Sequence, residues 1–584
     1  MATRKPKKTA SKKATKKIAA RKPVAKKRPV KKAVKRAPLK KAAAKKVAGK
    51  KAQRKGPAAK KAGAFKLTYA TMFNPPEQFH TRYETALAKV KAGMGREHGM
   101  LIGGKEVRAS ERFEDRSPIN RDWLLGSFQK GTMEHGRQAI AAARKAFPAW
   151  SRLSWKERVR LLRKAADIMD QRIYEFGAVL SLEVGKNRTE ALGDAAETAD
   201  LIRYACDRVE EHKGFIVPMG KDPIPGFNVS NVSVLRPYGV WVVISPFNFP
   251  CALTGGPVGA ALVAGNTVVI KPATSSPWTV RLIAEALRDA GLPDGVFNYV
   301  TGPGSTIGQE LIENPGVDGI TFTGSHEVGM KIYRTFAAGR YARPTILELG
   351  GKNPCIVSRH ADLERATIGI VRSAFGLQGQ KCSANSRVYI ERPVYDPLVA
   401  KLVEMTQKLT IGDPTVRGVF LGPVINESSY RDYQQFTEEL AKDGKILTGG
   451  KVLTQGESAK GFFCQPTLVT DLPLRHRLWK HEMFLPITTL APIDSLEQGM
   501  KLANDTEYGL TAGFYGSKQE AAWFFDQIEA GVTYANRPQG STTGAWPGFQ
   551  PFGGWKGSGS SGKNAGGHYY VQHYMHEQIQ TLVR

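Results

Sequence analysis

Val240-Trp241-Val242-Val243-Ile244 is an unbroken apolar run, entered from Gly239 and left through Ser245-Pro246. A strand with one face in water alternates apolar and polar side chains, whereas a continuous run is what a parallel strand covered on both faces requires. Three more runs follow at the spacing of a strand and a helix. They are Asn266-Thr267-Val268-Val269-Ile270 before Lys271-Pro272, Val296-Phe297-Asn298-Tyr299-Val300 before Thr301-Gly302, and Gly319-Ile320-Thr321-Phe322-Thr323 before Gly324-Ser325. This rhythm predicts an α/β fold with a doubly wound sheet. Ligands of such sheets sit beyond the carboxyl ends of the strands, where every polar motif just quoted lies.

Two of those ends suit a nucleotide. Gly324-Ser325-His326-Glu327-Val328-Gly329 follows a strand and opens a helix, so its N–H groups, the Ser325 hydroxyl and the positive helix end can face a pyrophosphate. It is not GxGxxG, and many strand-to-helix turns hold Gly-Ser for turn geometry alone. Lys271, fixed by Pro272, can reach ribose hydroxyls or stand as an exposed strand-end lysine. Upstream, 65–120 reads as an arm with a short helix around 83–91. Helical periodicity then runs from His135 to Glu211, with Trp155, Val159, Leu162 and Ala166 on one buried face, the pattern of cover helices.

Downstream, a strand-like run ends in Glu348-Leu349-Gly350-Gly351-Lys352-Asn353-Pro354, where the carboxylate is either a solvated loop acid or a base whose surroundings two glycines keep open for substrate and water. Glu348 precedes Cys382 by 34 residues, room for one helix over 363–375. Gly379-Gln380-Lys381-Cys382-Ser383-Ala384 then presents one thiol. A thiol attacks as thiolate; Lys381 is expected to lower its pKa, and small Ser383 and Ala384 to keep the approach clear. A lone intracellular cysteine is more often inert packing, so the reading needs the base that Glu348 offers.

The chain of 584 residues has room for two or three domains, and a 41% hydrophobic content is that of an ordinary soluble protein. No run of 18 apolar residues is present and the N-terminus has no apolar signal segment, so the expectation is a cytoplasmic protein with no membrane contact. Five scattered cysteines without CxxC pairs argue against a disulfide framework or structural zinc, and no metal site is expected. Residues 1–63 hold 27 lysines and arginines and no acid; of the net charge of +34 they supply 27, leaving +7 for the rest. Such a segment lacks the apolar groups to offset chain entropy and is expected to be disordered. Its composition resembles the C-terminal tails of linker histones, which predicts non-specific nucleic acid or polyphosphate binding, with nucleoid association; the plain alternative is a solubilising tail.

Ser245-Pro246-Phe247-Asn248-Phe249-Pro250, Lys271-Pro272-Ala273, Phe322-Thr323-Gly324-Ser325, Glu348-Leu349-Gly350-Gly351-Lys352, Gly379-Gln380-Lys381-Cys382 and Glu482-Met483-Phe484 occur in this order. From about residue 70 onward the chain resembles the NAD(P)-dependent aldehyde dehydrogenase superfamily. The tail (1–63) lies outside the resemblance, which implies an arm (64–120), a doubly wound nucleotide-binding domain (121–347) with an oligomerisation hairpin at about 225–236, an α/β catalytic domain (348–537), and an anchor loop with C-terminal oligomerisation segment (538–584). It implies a homo-oligomer, dimer or larger. It also implies that Cys382 attacks an aldehyde, that Asn248 and the Cys382 N–H hold the oxyanion, and that Glu348 activates the hydrolytic water. Lys271, Gly324, Ser325, Ser245, Phe247, Leu349, Glu482 and Phe484 would bind NAD, and Thr274, where many NAD-preferring members carry an acid, leaves NADP open.

Within the family, Phe247-Asn248-Phe249 in place of the commoner Trp-Asn-Phe, Lys381, and Thr543-Gly544-Ala545 leading to Gln550-Pro551-Phe552-Gly553-Gly554 resemble the branch that oxidises L-glutamate γ-semialdehyde to L-glutamate in proline catabolism. The substrate set is then Lys381, Ser383, Phe249, Gly544, Ala545 and Phe552. The stretch 536–542 is longer than that branch's usual approach to the anchor loop. The other readings are an enzyme for another carboxylated or aliphatic aldehyde, and a silent scaffold carrying a polyanion-binding tail.

Overall fold

The computed structural model describes residues 75–541 and 546–584. The tail 1–63, the start of the arm, and Gly544 and Ala545 of the anchor loop lie outside them.

Five parallel strands form the body of the first sheet, in the spatial order Thr345–Glu348, Gly319–Thr323, Val240–Ile244, Thr267–Lys271, Phe297–Tyr299. The chain lays down Val240–Ile244, builds outward on one side, then returns to build on the other. The order therefore reverses between Val240–Ile244 and Gly319–Thr323, opening a crevice at their carboxyl ends. All four apolar runs are strands, and Thr267–Lys271, Phe297–Tyr299 and Gly319–Thr323 are buried along their whole length.

The stretch read as an arm does more than its local sequence announces. Met100–Ile102, fully buried, pairs antiparallel with Phe297–Tyr299, and Lys105–Val107 pairs with it in turn, so the doubly wound sheet begins well before residue 121. Three-residue strands carry too little pattern to be read alone; their partner about 200 residues later defines them. The expected short helix runs over Glu77–Ala92 and buries Phe79 and Tyr83.

Four helices, Met133–Arg152, Trp155–Gln171, Ile173–Val184 and Arg188–Glu211, account for the helical periodicity. Val159, Leu162 and Ala166 are buried in the large core as their spacing predicts, and Trp155 packs at its margin.

A second seven-stranded sheet runs Lys445–Thr448, Thr467–Thr470, Ile487–Ile493, Asn385–Glu391, Asn353–Val357, Thr511–Tyr515, Val532–Ala535, parallel except for its first edge. The helix Leu363–Phe375, capped by Asp362 accepting the Arg365 N–H at 3.1 Å, joins Asn353–Val357 to Asn385–Glu391. Glu348 ends the last strand of the first sheet and Asn353 opens the second. The junction between the sheets is thus the glycine-rich segment 349–352.

The third sheet has three strands: Met575–Val583 pairs antiparallel with Val229–Pro237, which pairs with Ile216–Pro218. The hairpin expected at about 225–236 is therefore wider, with its first strand at Ile216. Ile216, Val217, Ile579, Leu582 and Val583 are 48–57% exposed on this sheet.

Candidate active site

After the helix Leu363–Phe375 the backbone makes a tight turn in which Leu377, Gln378 and Gly379 are all left-handed. The residues that follow are fixed from both sides. The Gln380 carbonyl accepts the Asn248 side-chain Nδ2–H at 3.1 Å, and its Oε1 accepts the Ile425 N–H at 2.9 Å. Asn353 Nδ2 donates to the carbonyls of Cys382 at 2.6 Å and Ala384 at 2.9 Å, while its Oδ1 accepts the Thr511 N–H at 2.9 Å. With its backbone held, Cys382 is left half-buried.

The thiol opens on a mainly apolar cleft of roughly 890 Å³, open solvent at its mouth included. Ser383, Phe249, Glu348, Leu349 and Phe552 line the same cleft, so five of the expected residues meet Cys382 there. The periodicity of 135–211 gave no sign that Glu197, Leu201 and Tyr204 of Arg188–Glu211 face it too. A helix with few exposed faces divides its buried residues between core and cleft, and hydrophobic period alone does not separate the two.

Glu348 is buried and its Oε2 has no hydrogen-bond partner among the described residues. Burial pushes its carboxyl up to about 8. The Cys382 thiol is pushed up to about 12, first by burial and then by the charges of Glu482 and Glu348, against bonds from the Ser383 and Cys382 N–H groups. The net shift is upward, against the lowering expected from Lys381. Lys381 turns away from the cleft: it is 2% exposed, does not line the cleft, and sets its Nζ 4.0 Å from Glu190 Oε1. Gly544 and Ala545 lie outside the described residues.

The remaining expected residues gather at the crevice of the first sheet. The Ser245 N–H donates to the Lys271 carbonyl at 3.1 Å, and the buried Ser245 Oγ has no partner among the described residues. Lys271 is 5% exposed rather than standing free; its Nζ donates to the Pro272 carbonyl at 3.0 Å, and burial pulls it down to about 8. Gly324 and Ser325 end the neighbouring strand, and Ser325 caps His326–Ala337 by accepting the Val328 N–H at 3.4 Å. Glu482 Oε1 accepts the Gly351 N–H at 2.7 Å, and burial pushes its carboxyl up to about 7. Phe484 meets Phe247 edge to face with centroids 5.9 Å apart. An orphaned buried hydroxyl, a lysine with one backbone partner, a capped helix start and a carboxylate around the switch point fit a dinucleotide's ribose and pyrophosphate groups.

Asn353 and Glu190 escaped the sequence reading. Asn353 stands inside the quoted stretch 348–354, yet its three bonds reach residues 29 to 158 positions away, a pairing that no local pattern signals.

The model of the Aldehyde dehydrogenase family matches residues 106–579. A 1-pyrroline-5-carboxylate dehydrogenase of Geobacillus sp. (strain WCH70) is 37% identical over 505 residues, covering 86% of this chain and 96% of that protein. The structure of 1-pyrroline-5-carboxylate dehydrogenase from Thermus with bound NAD superposes with a TM-score of 0.82 at 34% identity, covering 87% of this chain and 97% of that one. An NADP dependent enzyme from E. coli superposes at 0.77 with 33% identity, covering 84% of this chain and 98% of that one.

Proposed function

This chain belongs to the aldehyde dehydrogenase family, and from that premise we propose that it oxidises L-glutamate γ-semialdehyde to L-glutamate with NAD, NADP being the alternative cofactor. One observation carries the chemistry: a half-buried thiol and a carboxyl with an oxygen unpartnered among the described residues line one cleft, beside the crevice at the carboxyl ends of the first sheet's strands.

The Cys382 thiol gives up its proton to water at the cleft mouth and adds as thiolate to the aldehyde carbon, and the oxygen that becomes anionic is held by the Asn248 Nδ2–H and the Cys382 N–H. Lys271, Ser245, Gly324, Ser325, Phe247, Leu349, Glu482 and Phe484 would hold NAD, which when bound would supply the hydride acceptor needed to take the adduct to a thioester. Glu348 then takes a proton from water as the water oxygen adds to the acyl carbon; the C–S bond breaks and Cys382 leaves as thiolate. Phe249 and Phe552 flank the substrate methylenes, with Ser383 beside them. Gly544 and Ala545 are assigned to the α-carboxylate, whereas Lys381, expected to bind substrate with them, faces Glu190 and does not line the cleft.

Steady-state kinetics with a panel of aldehydes tests the substrate. The pyrroline-5-carboxylate pool is expected to give the highest kcat/KM; a much higher value for succinate semialdehyde or an aliphatic aldehyde would replace the substrate and keep the enzyme class.

The exposed apolar sheet of Ile216–Pro218, Val229–Pro237 and Met575–Val583 supports a homo-oligomer. No helix among the described residues is long and apolar enough to cross a membrane. Five free thiols suit a reducing compartment, and the cytoplasm is the proposed one. For residues 1–63 the total absence of acids favours binding of nucleic acid or polyphosphate over simple solubilisation.

A further inference from the structure

The nucleophile is delivered by a backbone that L-amino acids resist. Leu377 (φ 47, ψ 40), Gln378 (φ 55, ψ 33) and Gly379 (φ 69) are left-handed in succession, and Cys382 follows three residues on. A side chain with a Cβ stays in that region only where its surroundings over-determine it. At the entrance of the turn the Leu377 N–H donates to Glu190 Oε2 at 3.1 Å. Glu190 stands in the first turn of Arg188–Glu211, where the capping residue Asn187 accepts the Glu190 N–H at 3.0 Å and donates its Nδ2–H to Glu190 Oε2, also at 3.0 Å. The carboxylate is thus held by its own helix before it reaches the turn.

Its other oxygen faces the exit. Glu190 Oε1 lies 4.0 Å from Nζ of Lys381, the residue immediately before the nucleophile. That Nζ is buried without a hydrogen-bond partner among the described residues. The neighbouring carboxylate, Asp194, is already committed to Lys186 Nζ at 2.8 Å and the Ala252 N–H at 2.8 Å. Gly376 leaves the space in which the pair meets: a Cβ there would collide with both Lys381 Nζ and Glu190 Oε1. Glu190 is not among the residues lining the cleft.

We propose that Glu190 is a positioning residue for Cys382: one carboxylate ties the entrance of the left-handed turn to its exit and so fixes where the thiol stands. The proposal rests on the assignment of Cys382 as nucleophile.

Three variants of the full-length protein separate the parts of this role. Glu190→Gln keeps an oxygen at full reach for the Leu377 N–H, Glu190→Asp keeps the charge one methylene short, and Glu190→Ala keeps neither. The readouts are the alkylation rate of Cys382 by iodoacetamide, located by peptide mass mapping, with kcat, the aldehyde KM and the NAD dissociation constant. The Ala and Asp variants are expected to change the alkylation rate about 10-fold or more and to lose roughly 10- to 100-fold in kcat, with KM and NAD affinity within about 3-fold. Glu190→Gln, which keeps the entrance bond but turns an uncharged amide toward Lys381, is expected to fall between the parent and the Ala variant in alkylation rate and kcat, with KM and NAD affinity within about 3-fold. The parent's alkylation rate and kcat in Glu190→Ala would overturn the proposal, as would a Gln variant that keeps both at the parent's values. If Glu190→Ala does not fold, the Gln and Asp variants carry the same decision. Activity surviving in Cys382→Ala would instead remove the nucleophile assignment, while the alkylation contrast would still report on the turn.

Discussion

Glu348 keeps one carboxyl oxygen without a partner in an apolar cleft, and its proton is correspondingly hard to remove; burial alone takes it to about 8. Water activation needs the ionised form. Where deacylation limits turnover, kcat is therefore expected to climb about tenfold per pH unit toward pH 8 and to level off above it. Glu348→Gln removes that limb. Rapid mixing of the same variant is expected to show an NADH burst near one per active site, followed by turnover reduced roughly 10²- to 10⁴-fold. Loss of the burst would move Glu348 to an earlier step. Cys382→Ala is expected to lose burst and turnover together, about 10⁴-fold or more. Cys382 and Glu348 could be nominated from the sequence because each stands in a short stretch whose composition suits a reacting group. The thiol's electrostatics could not be read there. Adjacency to Lys381 in sequence said nothing of the side on which the ammonium lies, and the carboxylates that raise Cys382, Glu348 and Glu482, come 34 residues before it and 100 after it.

At the scale of elements, burial on both faces made the sheet readable. Continuous apolar runs announced four strands of the first sheet, and the spacing between Glu348 and Cys382 left room for the helix over 363–375, which occupies those residues. The strands at Met100–Ile102 and Lys105–Val107 stayed hidden, since three residues cannot show a period. One helix start carries a testable device. Glu183 is buried and accepts the N–H groups of Trp278 at 2.5 Å and Thr279 at 3.0 Å, capping Pro277–Asp289 from the end of another helix. Asp115 is buried beside it, and burial raises both carboxyls, so the folded pair holds a proton that the unfolded chain releases. The folded state then binds more protons than the unfolded one from the ordinary carboxylate range, near pH 4, up to the raised values. Stability contributed by the pair is complete at low pH and lost as pH rises through that window. Asp115→Asn is expected to shrink the fall in Tm between pH 5 and pH 8 by roughly 1–3 °C, read by calorimetry, because it removes one of the two titrations. An unchanged fall would show that the pair titrates as separate acids do in water.

For the whole molecule, the third sheet and the tail set the expectations. Ile579→Asp with Leu582→Asp places charges on its exposed apolar strand and is expected to lower the mass seen by light scattering toward that of one chain. A mass equal to the parent's would place the contact between copies elsewhere. The tail's 27 cations are expected to bind duplex DNA of any sequence with a log K against log salt slope well beyond about −5, and a version beginning at Ala64 to bind weakly and oxidise aldehyde at the parent's rate. Mobility shifts on two unrelated duplexes at several salt concentrations check this; equal binding by the shortened protein would leave solubility as the tail's role. The tail was legible as composition and the third sheet only in outline, because a sheet closed by strands more than 300 residues apart has no local signature. That long closure bears on synthesis. Val229–Pro237 has Ile216–Pro218 along one edge from early in translation, but its other edge stays bare until Met575–Val583 has been made. A bare edge with apolar side chains is a template for any extended chain nearby. A polypeptide interrupted anywhere between those segments, by a stalled ribosome or a protease, would therefore carry an open seam in place of an assembly surface, and is the species that quality control in the cell has to recognise.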